Sequence, residues 1–242
     1  MKNLLNDIGQ AIGFPVESWQ ASVHPKGSVM HGRFCRLEPI DSRLHARDIY
    51  EAFTLDTNHH NWTYLPYGPF ESFEDFEGWL VATCVGDDPC FFTVIDLTTG
   101  KAVGVASYLR ITPAVGVIEV GHIHFSPLMQ GTPVSTEAMY LMMALIFDDL
   151  GYRRYEWKCD SLNRPSCQAA ERLGFMYEGI FRQATMYKNR NRDTAWYSIL
   201  DSEWPHIKEV FETWLSTDNF DSELNQKTSL STAMSAALKA IR

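Results

Sequence analysis

A chain of 242 residues, 45% of them hydrophobic, is long enough to bury a large core as one domain with extensions. The formal net charge of -9 argues against a general nucleic-acid-binding protein, and the five cysteines contain no C-x-x-C pair, which argues against a disulfide framework or a structural zinc site. No apolar run approaches the roughly 20 residues that span a bilayer, and the N-terminus is too weakly apolar for a secretory signal, so we expect a cytoplasmic protein without a membrane partner.

The predicted elements divide the chain into an extension (1–31), a main domain (32–215), and a polar linker followed by an amphipathic helix (216–242). Alternating apolar residues predict strands at 32–40, 91–97, 102–111, 115–125, 154–160, 175–186 and 194–200. Helical spacing and start and stop signals predict helices at 43–55, 71–84, 136–150, 164–173, 202–215 and 230–241. Runs of antiparallel strands mixed with strand–helix units predict an α+β fold rather than a doubly wound sheet.

The loop before the helix at 136–150 reads SPLMQGTPVSTEAM (126–139). A helix N-terminus presents unpaired amides and a partial positive charge, so residues 130–135 can hold a phosphate group. The alternative is an ordinary strand-to-helix turn that is capped by Ser135 or Thr136. The loop matches neither a Walker sequence nor G-x-G-x-x-G.

A second motif, NRPSCQAAERLGF (163–175), follows the strand predicted at 154–160. Together, the two stretches resemble the GNAT superfamily of acetyl-CoA-dependent N-acetyltransferases. Residues 130–138 lie over the cofactor loop of the family, and Asn163, Ser166 and residues 171–175 match its later motif. The N-x-x-S form, the GHIHFSP stretch (121–127) and a W-x-x-L-P segment (62–66) look closest to the Rim-type branch, which acetylates protein N-termini and assorted small amines.

The resemblance implies a mixed, mostly antiparallel central sheet flanked by helices, with the acetyltransferase domain at 32–215. The strands at 115–125 and 154–160 are expected to splay apart, so that pantetheine binds between them as an added strand. A bulge would turn a backbone N–H near 123–125 toward the thioester carbonyl, where it stabilises the oxyanion. The cofactor-binding residues implied in this way are Ile123, His124, Phe125, Gln130, Gly131, Thr132, Val134, Ser135, Thr136, Asn163 and Ser166.

The cofactor loop departs from the family pattern at Pro133 and Ser135, where the family has Gly or Ala. Proline carries no N–H, so one potential donor to the pyrophosphate is absent and weaker cofactor binding is expected. Because the other loop amides remain, and because the Ser135 hydroxyl can donate, we predict that acetyl-CoA still binds.

The catalytic residues implied by the resemblance are Glu119, Asn163 and Ser166. Glu119 is the proposed base, directly or through water, and the alternative is a carboxylate that faces solvent or pairs with a cation. Ala170 stands where many relatives carry a tyrosine acid, so Ser166 is assigned to the departing thiolate. Asn163 binds the cofactor, orients the site or caps a helix.

Aromatic residues on the segment after the first helix predict an acceptor-binding lip, and the alternative is packing over the sheet. The substrate-binding residues proposed are Trp62, Tyr64, Leu65, Tyr67 and His122. His122 and His124 stand two apart, but no third ligand is evident, so a substrate-groove or structural role is favoured and no metal is expected. The run KNRNR (188–192) predicts a solvated hairpin tip, with contact to an acidic substrate or to a CoA phosphate as the minority reading.

We therefore predict direct acetyl transfer from acetyl-CoA to a primary amine, either a protein N-terminus or a small molecule. The alternative is a non-catalytic acyl-CoA-binding module. A homodimer is also possible, because an apolar stripe on the last helix needs a surface, within the chain or on a second subunit. The stripe consists of Leu230, Met234, Ala237, Leu238 and Ile241.

Overall fold

The computed structural model describes residues 4–223 and 225–240 of the chain. The strands are β1 (Leu4–Leu5), β2 (Ala11–Ile12), β3 (Met30–His31), β4 (Cys35–Pro39), β5 (Cys90–Asp96), β6 (Ala102–Thr112), β7 (Val117–Phe125), β8 (Arg154–Asp160), β9 (Met176–Tyr187) and β10 (Arg190–Leu200). The helices are α1 (Ser42–Thr54), α2 (Phe73–Thr83), α3 (Pro133–Ala144), α4 (Arg164–Arg172), α5 (Trp204–Trp214) and α6 (Leu230–Ala240).

One sheet of eight strands runs through the described chain in the order β3-β4-β5-β6-β7-β8-β10-β9. Every neighbouring pair is antiparallel except β7 and β8, which run parallel. Helices flank this sheet, which confirms the α+β fold with a mostly antiparallel sheet. No helix among the described residues has both the length and the apolar character needed to cross a bilayer.

Two apolar clusters pack against the sheet, one on each face. Phe91 and Phe92 are neighbours on β5 and belong to different clusters, because successive side chains of a strand point to opposite faces. Helices α1 and α2 contribute Ile49, Phe53, Phe76 and Leu80 to the Phe91 cluster. Helices α3 to α6 cover the Phe92 face. Strands β7 and β8 run between these two clusters, and the site residues described below lie on these strands or next to them.

Strands β7 and β8 separate halfway along their length. Their parallel pairing runs from Val117 opposite Arg154 to Val120 opposite Trp157 and then stops, although β7 continues to Phe125. Beyond this point β8 pairs only with β10 on its other side. The edges that face each other across the gap therefore keep backbone groups free of sheet partners, and the predicted splay is confirmed.

A bulge lies on β7 inside the splayed part. Val105 pairs with His124 and Ser107 pairs with Gly121, so β7 holds one more residue than β6 between the two pairs. His122 lies at this bulge, and its φ of 50° is in the left-handed region. A bulge of this kind changes the direction of the neighbouring backbone groups, and it lies just before the 123–125 segment where the sequence predicted a redirected N–H.

Some predicted boundaries were wrong for identifiable reasons. Helix α3 begins at Pro133 rather than at residue 136, because the fixed φ of proline suits the first helical position. Strand β4 begins at Cys35 rather than at residue 32, because the amides of residues 33–35 bind the Glu137 carboxylate instead of a neighbouring strand. Strand β10 begins at Arg190 rather than at 194, since Lys188 and Asn189, with φ of 47° and 58°, close a two-residue turn.

The segment predicted as a linker is packed against the domain. Asn219 is buried, its Nδ2 donates to the Trp214 carbonyl at 2.9 Å, and its Oδ1 accepts from the amide of Thr228 at 2.8 Å. The apolar stripe of α6 is covered by the same chain, because Leu230, Met234 and Leu238 are buried and α6 contacts α4 and α5. Ile241 lies outside the described residues.

The N-terminal extension is attached at Trp19 and Ser22, before it joins the sheet through β3. Trp19 Nε1 donates to the Ala114 carbonyl at 2.8 Å, and its ring covers Gly116, where a Cβ atom would come within 2.4 Å of the ring. Before this anchor, β1 and β2 form a small hairpin of their own whose apolar side chains are exposed.

Candidate active site

The first turn of α3 is not capped by a side chain within the described part of the chain. Thr132 occupies the N-cap position, but its hydroxyl donates back to the Met129 carbonyl at 2.8 Å. The Ser135 hydroxyl donates to the Thr132 carbonyl at 2.9 Å. Neither Ser135 nor Thr136 caps α3, so the capping predicted as the alternative was wrong. By helix geometry, the amides of Val134 and Ser135 have no intrahelical acceptor, so they are available to an anion.

Gly131 sets the direction of the loop into this turn. Its φ of 71° lies in the left-handed region, and a Cβ atom placed there would meet no heavy atom within 4 Å. The space beside the loop is therefore open. A cavity of about 490 Å³ lies there. It is lined by Gly131, Thr132, Pro133, Ser135, Thr136, Arg172, Trp214, Phe220, Asn225 and Gln226.

Arg172 brings a positive charge to this cavity. Both of its terminal nitrogens lie 3.1 Å from the Thr136 hydroxyl oxygen, and its guanidinium lies 5.6 Å from the centre of the Trp214 ring. Arg172 was not among the site residues predicted from the sequence. The arginine belongs to the E-R-L-G-F segment, which could have indicated a role for it. It lies on the last turn of α4, and its side chain contacts α3.

A larger cavity of about 830 Å³ lies between α5 and α6, and no residue of the 130–136 loop lines it. The smaller cavity is the candidate phosphate site, because the uncapped amides and the guanidinium there match a phosphate group.

The first turn of α4 is capped. Asn163 Oδ1 accepts from the amide of Ser166 at 3.2 Å, which is the helix-capping alternative for this residue. The Ser166 hydroxyl oxygen accepts from Trp157 Nε1 at 3.0 Å. Since Trp157 is the last residue of β8 that pairs with β7, Ser166 and Asn163 lie beside the point where the strands separate.

Glu119 lies on β7, before the splay, with 3% of its surface exposed. Arg110 Nη1 donates to both of its carboxylate oxygens at 2.6 Å, and Lys158 Nζ lies 2.8 Å from Oε2. Lys158 also pairs with Glu156 at 2.7 Å. The structure therefore shows the ion-paired state of Glu119, which was the alternative to a base. Lys158 and Arg110 were not assigned roles from the sequence, because nothing in their local pattern shows that they meet this carboxylate.

The proposed acceptor residues split into two groups. Trp62 is buried against Phe53 and His124, at ring distances of 5.6 and 4.0 Å, and Leu65 packs on the same cluster, so these two follow the packing alternative. Tyr67 packs on the same cluster as well, but its hydroxyl lies 3.1 Å from His122 Nδ1. Tyr64 donates to the Leu162 carbonyl at 3.1 Å, which connects the 62–67 segment to the start of α4.

The two histidines of β7 are held in the neutral form. Burial, assisted by Arg110 and Arg192, lowers the pKa of His122 to about 4. Burial lowers the pKa of His124 to about 3, and its ring stacks on Phe53 at 3.7 Å. Only the backbone of His124 can therefore reach the splay. The described residues contain no group of three or more His, Cys, Asp or Glu side chains arranged for a metal ion.

The tip of the β9–β10 hairpin is exposed to solvent, as the sequence predicted, and two of its basic side chains also bind the 62–67 segment. Lys188 Nζ donates to the Trp62 carbonyl at 2.8 Å, and Arg190 Nη2 donates to the Thr63 carbonyl at 2.6 Å. On the opposite side of the gap, Gln130 Nε2 donates to the Phe125 carbonyl at 2.7 Å. These contacts fix the two loops that border the splay.

Comparison with known proteins places this architecture in a family. The profile of the family described as Acetyltransferase (GNAT) domain matches residues 35–176, more than half of the chain. The chain belongs to the GNAT acetyltransferase family, whose members are enzymes that take an acetyl group from acetyl-CoA. No protein in a search of curated sequences gave a significant match.

Solved structures agree with this assignment. A GCN5-related N-acetyltransferase from Brucella melitensis is 44% identical, with a TM-score of 0.88 over 91% of this chain and 100% of that one. A probable GNAT-family acetyltransferase from Chromobacterium violaceum is 38% identical, with a TM-score of 0.75 over 81% of this chain and 98% of that one. A ribosomal-protein-S5-alanine acetyltransferase from Vibrio fischeri is 22% identical, with a TM-score of 0.57 over 73% and 98%, and shares the fold alone.

Proposed function

We propose that this enzyme transfers acetyl directly from acetyl-CoA to a primary amine, which is either a small molecule or a protein N-terminus. The observation that carries the proposal is the splay of β7 and β8, which places free strand edges between two helix N-termini. Pantetheine is a pseudo-peptide with two amides, so it can pair with such edges. The domain proposed for this activity is residues 32–215.

The residues of the chain fit acetyl-CoA at both ends. The amides of Val134 and Ser135 and the charge of Arg172 would hold its phosphates, and the cavity beside them has the room. A bulge-directed N–H in the segment 123–125 would stabilise the negative charge that forms on the thioester oxygen. When bound, acetyl-CoA supplies an acyl group on a thiolate leaving group.

Ser166 is proposed to donate its hydroxyl hydrogen to the leaving sulfur. Its oxygen accepts from Trp157 Nε1, and its hydrogen, which can also reach the Cys159 sulfur, would turn toward the gap when the cofactor binds. Free thiols have a pKa near 8.5, so the thiolate leaves without full protonation and the tyrosine missing at Ala170 is not essential. Asn163 positions Ser166 through the capping bond.

Glu119 is proposed to receive the proton of the attacking amine through water. Arg110 and Lys158 hold its carboxylate on β7, one residue before the pairing with β8 ends, and the negative charge stabilises the ammonium that forms during attack. His122 is neutral, because burial lowers its pKa to about 4, and its Nδ1 lies 3.1 Å from the Tyr67 hydroxyl, so we assign the pair to orienting the acceptor. Glu119→Gln should lower kcat by about 10²- to 10⁴-fold, a range typical of general-base loss.

The proposal is tested by measuring CoA release from acetyl-CoA with a panel of small amines and a panel of peptides with free N-termini. Release with small amines alone selects a small-molecule acceptor, and release with peptides alone selects a protein N-terminus. Isothermal titration with acetyl-CoA provides the binding measurement. Cofactor binding without release over both panels would instead favour a non-catalytic acyl-CoA-binding role for this chain.

A homodimer also remains a prediction. The stripe on α6 that suggested it is covered within the chain as far as the structure describes it, and the apolar hairpin of β1 and β2 is an exposed surface that could serve instead. Light scattering on the full chain and on a chain shortened to begin at Ser18 would decide whether this hairpin holds two copies together.

A further inference from the structure

Two thiols meet between β8 and α4. The Cys159 and Cys167 sulfur atoms lie 3.6 Å apart, and both cysteines are free. A disulfide bond requires about 2.05 Å between sulfurs, so the two atoms need to approach by about 1.5 Å. All five cysteines lie in the described residues, and this is the one thiol pair in contact among them.

The two thiols differ in exposure, as an attacked and a resolving cysteine do. Cys159 is buried, and burial raises its pKa to about 12, so it is a protonated thiol at neutral pH. Cys167 is the one cysteine of the five that is not buried. It stands on α4, one residue after Ser166. An oxidant from solvent therefore reaches Cys167 first.

We propose that Cys159 and Cys167 form a reversible disulfide when the enzyme meets a hydroperoxide, and that this modification turns the acetyltransferase off. The Cys167 thiolate attacks the peroxide O–O bond and becomes a sulfenic acid, with water or an alcohol as the leaving product. The sulfur of Cys159 then attacks the sulfenic sulfur, the S–O bond breaks, and water leaves with the Cys159 proton. The peroxide is reduced by two electrons and the thiol pair is oxidised by two.

The effect on activity follows from the neighbours of the pair. Cys167 comes directly after Ser166, and its amide donates to the Asn163 carbonyl at 3.0 Å. Drawing Cys167 toward β8 therefore displaces the turn that holds both Ser166 and Asn163. A misplacement of about 1 Å in an active site can cost about a hundredfold in rate. This part rests on the proposed function, whereas the disulfide itself does not.

The modification can be read from a single peptide. Trypsin cuts after Lys158 and Arg172 but not after Arg164, because Pro165 follows, so residues 159–172 carry both cysteines in one fragment. The full chain is treated with hydrogen peroxide, alkylated, digested and weighed. The expected fragment is lighter by two hydrogen atoms and takes no alkyl group. After reduction with dithiothreitol it takes two.

The activity arm compares the wild type with matched variants. Peroxide should lower kcat/KM of the wild type by about a hundredfold, with recovery in dithiothreitol. Cys167→Ser should keep its activity under the same treatment. Cys84→Ala, which alters a buried cysteine on the other face of the sheet, should lose activity like the wild type.

Three results would contradict the proposal. The first is a sulfinic acid on Cys167 with Cys159 still free to be alkylated. The second is the light fragment together with undiminished activity. The third is equal peroxide sensitivity of Cys167→Ser and the wild type. If no amine supports CoA release at all, the proposed function fails, while the fragment mass still decides whether the disulfide forms.

Discussion

Helices α3 and α4 both begin beside the splay of β7 and β8, and both carry a proline in the first turn. At α4, the Asn163 side chain accepts from an amide of that turn. At α3, the hydroxyls that could do the same point elsewhere: Thr132 donates to Met129, and Ser135 donates to Thr132. One helix end is therefore satisfied by its own chain, and the other is left with free donors.

Under the proposed function, this difference separates an end that positions a side chain from an end that binds the cofactor. A capped N-terminus holds a fixed turn, and α4 uses it to place Ser166. An uncapped N-terminus leaves amides that an anion can satisfy, and at α3 they face a cavity with Arg172 at its edge. Glu137 on α3 does not satisfy the free amides of its own helix either, because its carboxylate accepts from the amides of residues 33–35.

The largest effect is expected at Glu137. Its buried carboxylate accepts from the amides of Arg33, Phe34 and Cys35, at distances of 2.6 to 2.8 Å. Glu137→Ala leaves these amides without their acceptor and should lower the free energy of unfolding by at least about 3 kcal/mol, as measured by urea denaturation. Glu171→Ala, an exposed change on α4, is the control and should stay within about 0.5 kcal/mol. Equal losses would show that the carboxylate does not hold the 33–35 segment.

The next effect concerns the binding end. Arg172→Ala removes the charge beside the α3 cavity and should raise the Kd of acetyl-CoA by about 10- to 100-fold, the range of a lost charge-assisted hydrogen bond. Titration calorimetry at several salt concentrations would measure it. Arg164→Ala, at the capped start of α4, should leave the Kd within about twofold. Unchanged affinity in Arg172→Ala would move the phosphate site away from this cavity.

The contrast between the two helix ends marks how far the sequence could lead. The fold, the splay and the position of the Gln130–Thr136 loop follow from local patterns and family motifs, because strand alternation and helix starts are short-range signals. The capping state of α3 does not, since a serine or threonine hydroxyl can serve an amide or a carbonyl with equal ease. The ion pairs of Glu119 with Arg110 and Lys158 join three strands, so no sequence spacing reveals them.

A smaller effect tests the capped end. Asn163→Ala removes the bond to the Ser166 amide and should lower stability by about 1 kcal/mol, or about 2 to 4 °C in Tm. Thr132→Ala, at the equivalent position of α3, should change Tm by less than half as much, because Thr132 caps no amide of its helix. Asn163→Asp keeps an acceptor and should restore the Tm. Equal shifts for Asn163→Ala and Thr132→Ala would remove the distinction between the two ends.

The smallest effect is expected when the first-turn proline of each helix is replaced by alanine. Pro133→Ala adds an N–H at the uncapped end, and one further hydrogen bond to a phosphate should lower the Kd of acetyl-CoA by about three- to tenfold. Pro165→Ala adds the same group at the capped end and should leave the Kd unchanged. Both changes lower stability by up to about 1 kcal/mol through the freer unfolded chain. Affinity is therefore compared at a temperature where both variants are fully folded. Tighter binding of acetyl-CoA by both variants would contradict a phosphate site at the N-terminus of α3.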